Sequence, residues 1–174
     1  MTDPAATLWE IAQIEQLKAR YFRGVDAEDW DLFRSVFTDD VRTKLPGTDW
    51  MDGREAIVDR VIEHHTRAEV VTVHHGHMPE IELVDETHAR GVWAMFDFVD
   101  RIWRHDGRRD AFTGYGHYLE EYRKGDGQWR ISQMELTRIR VDWHRPEHLH
   151  DFPHRGAPPV DAQRSSPGSR ASAE

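Results

Sequence analysis

Three histidines in four positions, His74, His75 and His77, follow a β-branched run, Val70-Val71-Thr72-Val73. Such a run predicts a strand. Alternate strand residues face opposite ways, so His74 shares a face with Thr72, and His75 shares the other with His77. The face turned into the protein therefore receives one imidazole or two. One inward His beside a carboxylate is a general base; two on one face begin a metal site. Pro79 cannot donate to a ladder and is expected to interrupt the strand.

The carboxylate that can meet His74 is Asp26. Leu8, Ile11, Ile14, Leu17, Tyr21, Phe22 and Val25 recur at three- and four-residue intervals, which predicts an amphipathic helix. Thr7 is its expected N-cap, with Glu10 at the capping-box position. Tyr21 and Val25 lie on the buried stripe. Asp26 sits at the stripe's edge near the helix C-terminus, the unfavourable end of the dipole for an anion, and so calls for a cationic or hydrogen-bonding partner. A second carboxylate, Asp97, stands between Met95 and Val99 on one face of a long strand. Its apolar neighbours suit a pocket role, and its alternative is a salt bridge to Arg138 or Arg140. Those arginines are expected on one face of the last strand with Met134 and Leu136. Tyr115, His117 and Leu119 share a face and line either a pocket or the solvent.

The elements that must position these residues follow in order. Residues 28–37 predict a short helix with Trp30, Phe33 and Phe37 on one side, and 41–45 a weak strand. Residues 54–66 predict a third helix. The histidine strand comes next, then a hairpin of 81–84 with 89–103. Residues 111–124 and 129–143 form two more strands, joined by the strong turn signal Gly125-Asp126-Gly127. Helices first and long antiparallel strands afterwards give an α+β fold, three N-terminal helices packed on a curved sheet. A pocket between the first helix and the concave face is within reach of both Asp26 and His74.

Composition narrows the partners. The 174 residues suit one domain, expected over 8–152 between a flexible lead (1–7) and a disordered Pro/Ser/Ala/Arg-rich tail (153–174). A formal charge of −9 argues against nucleic acid. No segment approaches a membrane span and no basic–apolar leader is seen, so a membrane partner is not expected. The absence of cysteine removes thiol chemistry and fits a cytoplasmic setting. The metal alternative rests on His75, His77 and Glu80. Its resemblance to cupins fails on spacing and on the three leading helices, so no metal is expected. His144, His148 and His150 form a second, adventitious-looking cluster.

Several stretches together resemble a known family. They are Tyr21-Phe22-Arg23-Gly24-Val25-Asp26 with Asp29-Trp30, Thr72-Val73-His74-His75-Gly76, Tyr122-Arg123-Lys124-Gly125-Asp126-Gly127-Gln128-Trp129-Arg130-Ile131 and Val141-Asp142-Trp143. In order and spacing they are similar to the SnoaL-like branch of the NTF2-like superfamily, a group that also holds scytalone dehydratase, bile-acid 7α-dehydratase and lindane dehydrochlorinase. The resemblance implies a cone-shaped α+β barrel with a deep apolar pocket, assembly as dimers or trimers, and no cofactor. It implies that Asp26 matches the acidic member of an Asp–His dyad and His74 its base. Tyr21 matches a position that is tyrosine or lysine in such enzymes, and Asp97 one that is acidic in the bile-acid enzyme. Arg138 lies near a last-strand arginine, with Arg140 two residues away as the other alignment. The expected function is a cofactor-independent lyase or isomerase, chiefly a dehydratase, acting on a hydrophobic cyclic molecule such as a steroid, polyketide or aromatic compound. The same family includes non-catalytic members, so a binding or assembly module is the alternative.

Overall fold

The computed structural model describes residues 3–149. Helix α1 (Pro4–Asp26) starts earlier than the expected Thr7 cap. Asp3 accepts a hydrogen bond from the Ala5 N–H at 3.1 Å, and Pro4 opens the first turn. An aspartate cap followed by a proline preset for helical φ moves the boundary ahead of threonine. Helix α2 (Trp30–Ser35) is capped by Asp29. It packs tightly on α1 because Gly24 has no side chain; a Cβ there would stand 2.9 Å from the Phe33 backbone nitrogen.

Strand β1 (Phe37–Lys44), the two-residue β2 (Met51–Asp52) and helix α3 (Arg54–Arg67) lead into four long strands. These are β3 (Ala68–Leu83), β4 (His88–Trp103), β5 (Arg109–Gly125) and β6 (Gln128–His144). A 3-10 turn, Pro146–His148, follows. The fold is α+β. Its six-stranded open sheet has the order β2-β1-β6-β5-β4-β3, parallel only between β1 and β6. The long strands are β-branched and aromatic on the face that meets the helices, and α1 lays Ile14, Leu17, Tyr21 and Val25 into that core. No helix among the described residues is long and apolar enough to cross a membrane.

Two departures from the expected strands re-aim side chains. Strand β3 does not stop at Pro79. Its register with β4 shifts between His77 and Glu80, and Met78 takes a positive φ of 42°. As an edge strand, β3 can absorb a residue without an N–H in a bulge and pair again beyond it. On β6, Arg138 pairs with Gly116 and Arg140 with Tyr115, leaving Ile139 as an extra residue. The bulge reverses the alternation. Met134, Leu136 and Arg138 face inward, then Val141 and Trp143 do, while Arg140 turns out to an exposed pair with Asp142 at 2.7 Å. Arg138 and Arg140 therefore do not share a face.

Candidate active site

The last turn of α1 meets the inward side of β3 through one carboxylate. Asp26 Oδ1 lies 2.6 Å from His74 Nδ1 and accepts the Thr72 hydroxyl at 2.8 Å. Its Oδ2 accepts the His74 backbone N–H at 2.9 Å. These contacts supply the partner that an acid at a helix C-terminus needs. A carboxylate can only accept, so Nδ1 carries a proton, and in the neutral ring Nε2 is the nitrogen that keeps a lone pair. Nε2 has no hydrogen-bond partner among the described residues, and the His74 side chain is only 13% exposed. His75 and His77 stand on the other face, their rings 5.6 Å apart.

His74 is on the wall of a cavity of about 400 Å³ between the helices and the sheet. Val25, Phe33, Ile57, Val61, Val99, Phe112 and Leu136 make it mainly apolar. Such a volume suits a ligand of drug-like size. Asp97 and Arg138 also line it, joined by two short bonds of 2.8 and 2.6 Å that form a bidentate pair. Asp97 is thus a salt-bridge partner that aims the guanidinium at the cavity. Its carboxylate is 2% exposed against 19% for the Arg138 side chain, so of the pair the arginine is the one open to the cavity.

Gly114 makes that pair possible, because β5 runs between Asp97 on β4 and Arg138 on β6. A Cβ at 114 would fall 2.0 Å from Arg138 Nη1 and 2.3 Å from Asp97 Oδ1. Gly114→Ala is expected to push the guanidinium off its partner and cost about 1–3 kcal/mol in urea denaturation, as overpacking does. Wild-type stability in that variant would remove this role.

Tyr21 opens onto the cavity with Tyr118, the inward residue that sequence reasoning passed over for Tyr115 and His117. Those two belong to the outer face, Tyr115 being 39% exposed. Burial first, then the nearby Glu120 carboxylate, holds the Tyr21 phenol well above its ordinary range. Burial does the same to Tyr118. The two rings stand edge to face with centroids 5.8 Å apart, both lining the cavity.

Behind these rings lies a second feature that was missed. Lys18 is fully buried, with Nζ 2.5 Å from Glu120 Oε1 and 3.9 and 3.5 Å from the ring centroids of Tyr21 and Tyr118. Tyr122 donates to Glu120 Oε2 at 2.5 Å and Trp93 donates to Tyr122 at 2.7 Å, closing the network. Burial pulls the ammonium down to about 8 against the opposing pull of Glu120. The available signal was position: Lys18 is four residues after Ile14 and three before Tyr21, on the apolar stripe.

At the cavity's other end stands His64. Burial, then the positive charges of Arg101, His65 and Arg60, push it down to about 4, with Asp110 opposing. Between pH 4 and about 6.5 the unfolded chain therefore binds a proton that the folded chain refuses, and stability falls as pH drops through that window. The ring is partly exposed, so screening leaves a loss on the order of 1 kcal/mol. Urea midpoints at pH 7 and pH 4.5 should show a smaller acid loss in His64→Leu than in the wild type; equal losses would exclude the residue.

A family model described as a SnoaL-like domain matches residues 6–135. The chain belongs to the SnoaL-like family. Among solved structures, the fold is similar to hexachlorocyclohexane dehydrochlorinase LinA-type3 from Novosphingobium barchaimii LL02, with a TM-score of 0.72 and 20% identity over 87% of this chain and 99% of that one. A putative scytalone dehydratase from Novosphingobium aromaticivorans gives 0.70 and 21% over 82% and 93%. Rv3472 from Mycobacterium tuberculosis, a protein of unknown function, gives 0.64 and 27% over 79% and 77%.

Proposed function

We propose that the protein is a cofactor-independent lyase, in the first place a dehydratase, acting on a hydrophobic cyclic small molecule of the steroid, polyketide or aromatic kind. The observation that carries this reading is the 2.6 Å contact of Asp26 with His74 on the wall of an apolar cavity. A carboxylate that fixes the tautomer leaves Nε2 as a base aimed at bound substrate. His74 takes a proton from carbon, and the electron pair left behind is stabilised as an enolate by the Arg138 guanidinium, which Asp97 orients. The enolate then collapses to a C=C bond as the C–O bond to a neighbouring hydroxyl breaks, and the departing oxygen leaves as water with the proton carried by the imidazolium, while the neutral Tyr21 O–H hydrogen-bonds to it. The same base would serve isomerisation, cyclisation or loss of halide. Dehydration is favoured because Tyr21 keeps a neutral O–H for a leaving hydroxyl. Two relatives are named for eliminations, of water and of hydrogen chloride, which supports the class. Assembly with further copies of the chain belongs to the same proposal, supported by the exposed apolar side chains of Val73, Tyr115 and Ile139.

The test is incubation with hydroxylated ketones, steroids and aromatic polyketides, followed by mass spectrometry. Loss of one water from at least one of them is expected. Products of unchanged mass would replace dehydration by isomerisation, and ligands that bind the cavity unaltered would make the protein a binding module.

A further inference from the structure

The reaction proposed above uses one end of the cavity and leaves the other unexplained. Along β4 the inward residues are Asp97, Val99 and Arg101, and along β5 they are Gly114, Phe112 and Asp110, paired across the strands. Four residues of strand place Arg101 about 13 Å from Asp97 along the sheet. The step between them is apolar, made by Val99 and Phe112. At the far end α3 presents Arg60 and His64, four residues apart on the helix face that also carries Ile57 and Val61 to the cavity. The cavity thus has two polar poles with a greasy middle.

The charges at the second pole are mostly positive. Arg101 is held by Asp110 at 2.5 Å, and Asp110 also accepts from Trp103 at 2.7 Å and lies 3.6 Å from Arg108. Among the described residues Arg60 has an ion pair only with Glu63, at 3.9 Å and half-exposed. Two guanidinium groups and the ring of His64 therefore meet at that end of an apolar cavity, and the Asp110 carboxylate beside them is already engaged by Arg101 and Trp103. An uncharged hydrocarbon would gain nothing from them.

We infer that Arg60, His64 and Arg101 form a subsite for an anionic group, a carboxylate in the first instance, at the end of the ligand remote from His74. Arginine suits this task, since its planar fork pairs with a carboxylate. A neutral imidazole N–H adds a donor. The ligand class follows: an amphipathic acid with an apolar cyclic body, its acid at the mouth and its reacting carbon inside. This assignment rests on the functional reading for the inner pole but not for the outer one.

The experiment measures binding, so it needs no turnover. 2-Naphthaleneacetic acid and 2-naphthaleneethanol share a body and differ in the anion, and each is titrated by calorimetry into the wild type, His74→Ala, Arg138→Gln, Arg60→Gln and the Arg60→Gln/His64→Leu pair. The acid is expected to bind the wild type about tenfold more tightly than the alcohol. The preference should persist in His74→Ala and Arg138→Gln. It should fall to about threefold or less in the double variant, with alcohol affinity held as evidence of an intact cavity. If the double variant no longer binds the alcohol, Arg60→Gln alone decides by a partial loss. Equal affinities in the wild type would overturn the subsite. So would a preference lost in Arg138→Gln and kept in the others, which would place the anion at the inner pole. A His74→Ala protein that still turned over substrate would defeat the catalytic reading while leaving the acid preference untouched.

Discussion

His74→Ala is expected to lower turnover by roughly 10²-fold or more while changing substrate binding little, once a substrate is in hand. The imidazole Nε2 faces the cavity without a partner among the described residues, and its loss leaves Val25, Phe33, Val99 and Phe112 as walls. A positioned base acts in the transition state, so its removal falls on kcat more than on KM. Steady-state kinetics on the folded variant read this directly. Unchanged kcat would remove His74 from the chemistry.

The second large effect is on stability. Lys18→Met should cost about 3–5 kcal/mol in urea denaturation, because it leaves the Glu120 carboxylate buried beside Tyr122 with no counter-charge. The same change withdraws a cation from the faces of Tyr21 and Tyr118. Lys18→Met with Glu120→Gln removes both charges and should recover a good part of the loss, since an uncharged pair carries less desolvation cost. A double variant no more stable than the single one would mean that packing, and not the stranded charge, sets the penalty. A near-neutral Lys18→Met would contradict the network altogether.

Much of this arrangement was legible in the chain. Asp26 announced itself as a carboxylate at the wrong end of a helix, and strand alternation alone put His74 with Thr72 and away from His75 and His77. The Asp-Gly turn between β5 and β6 was equally plain, with Asp126 and Gly127 both at positive φ. What the pattern could not carry was interruption of period. The extra Ile139 reverses the faces of β6, so counting by twos from Leu136 sends Arg140 to the wrong side. Pro79 reads as a stop, yet on an edge strand it is only a bulge. Lys18 carries no local sign of burial, because a lysine on an apolar stripe can reach water with its head group, and its partner Glu120 is 102 residues away. His64 shows no local sign of its surroundings, for its neutrality comes from burial first and then from Arg101 on another element.

Asp26 does more than hold a ring. Its Oδ2 takes a backbone N–H, which has no other tautomer to offer. In Asp26→Asn the amide oxygen must stay on that N–H, so the NH2 turns to His74 Nδ1 and forces the proton to Nε2, where the base should be. The single variant should therefore cost a factor comparable to His74→Ala. The decisive measurement is kcat for the wild type, His74→Ala, Asp26→Asn and the double variant on one substrate. If the two residues act as one unit, the double variant will be within a few-fold of either single one, because the second change removes something already broken. Losses that multiply would contradict the account.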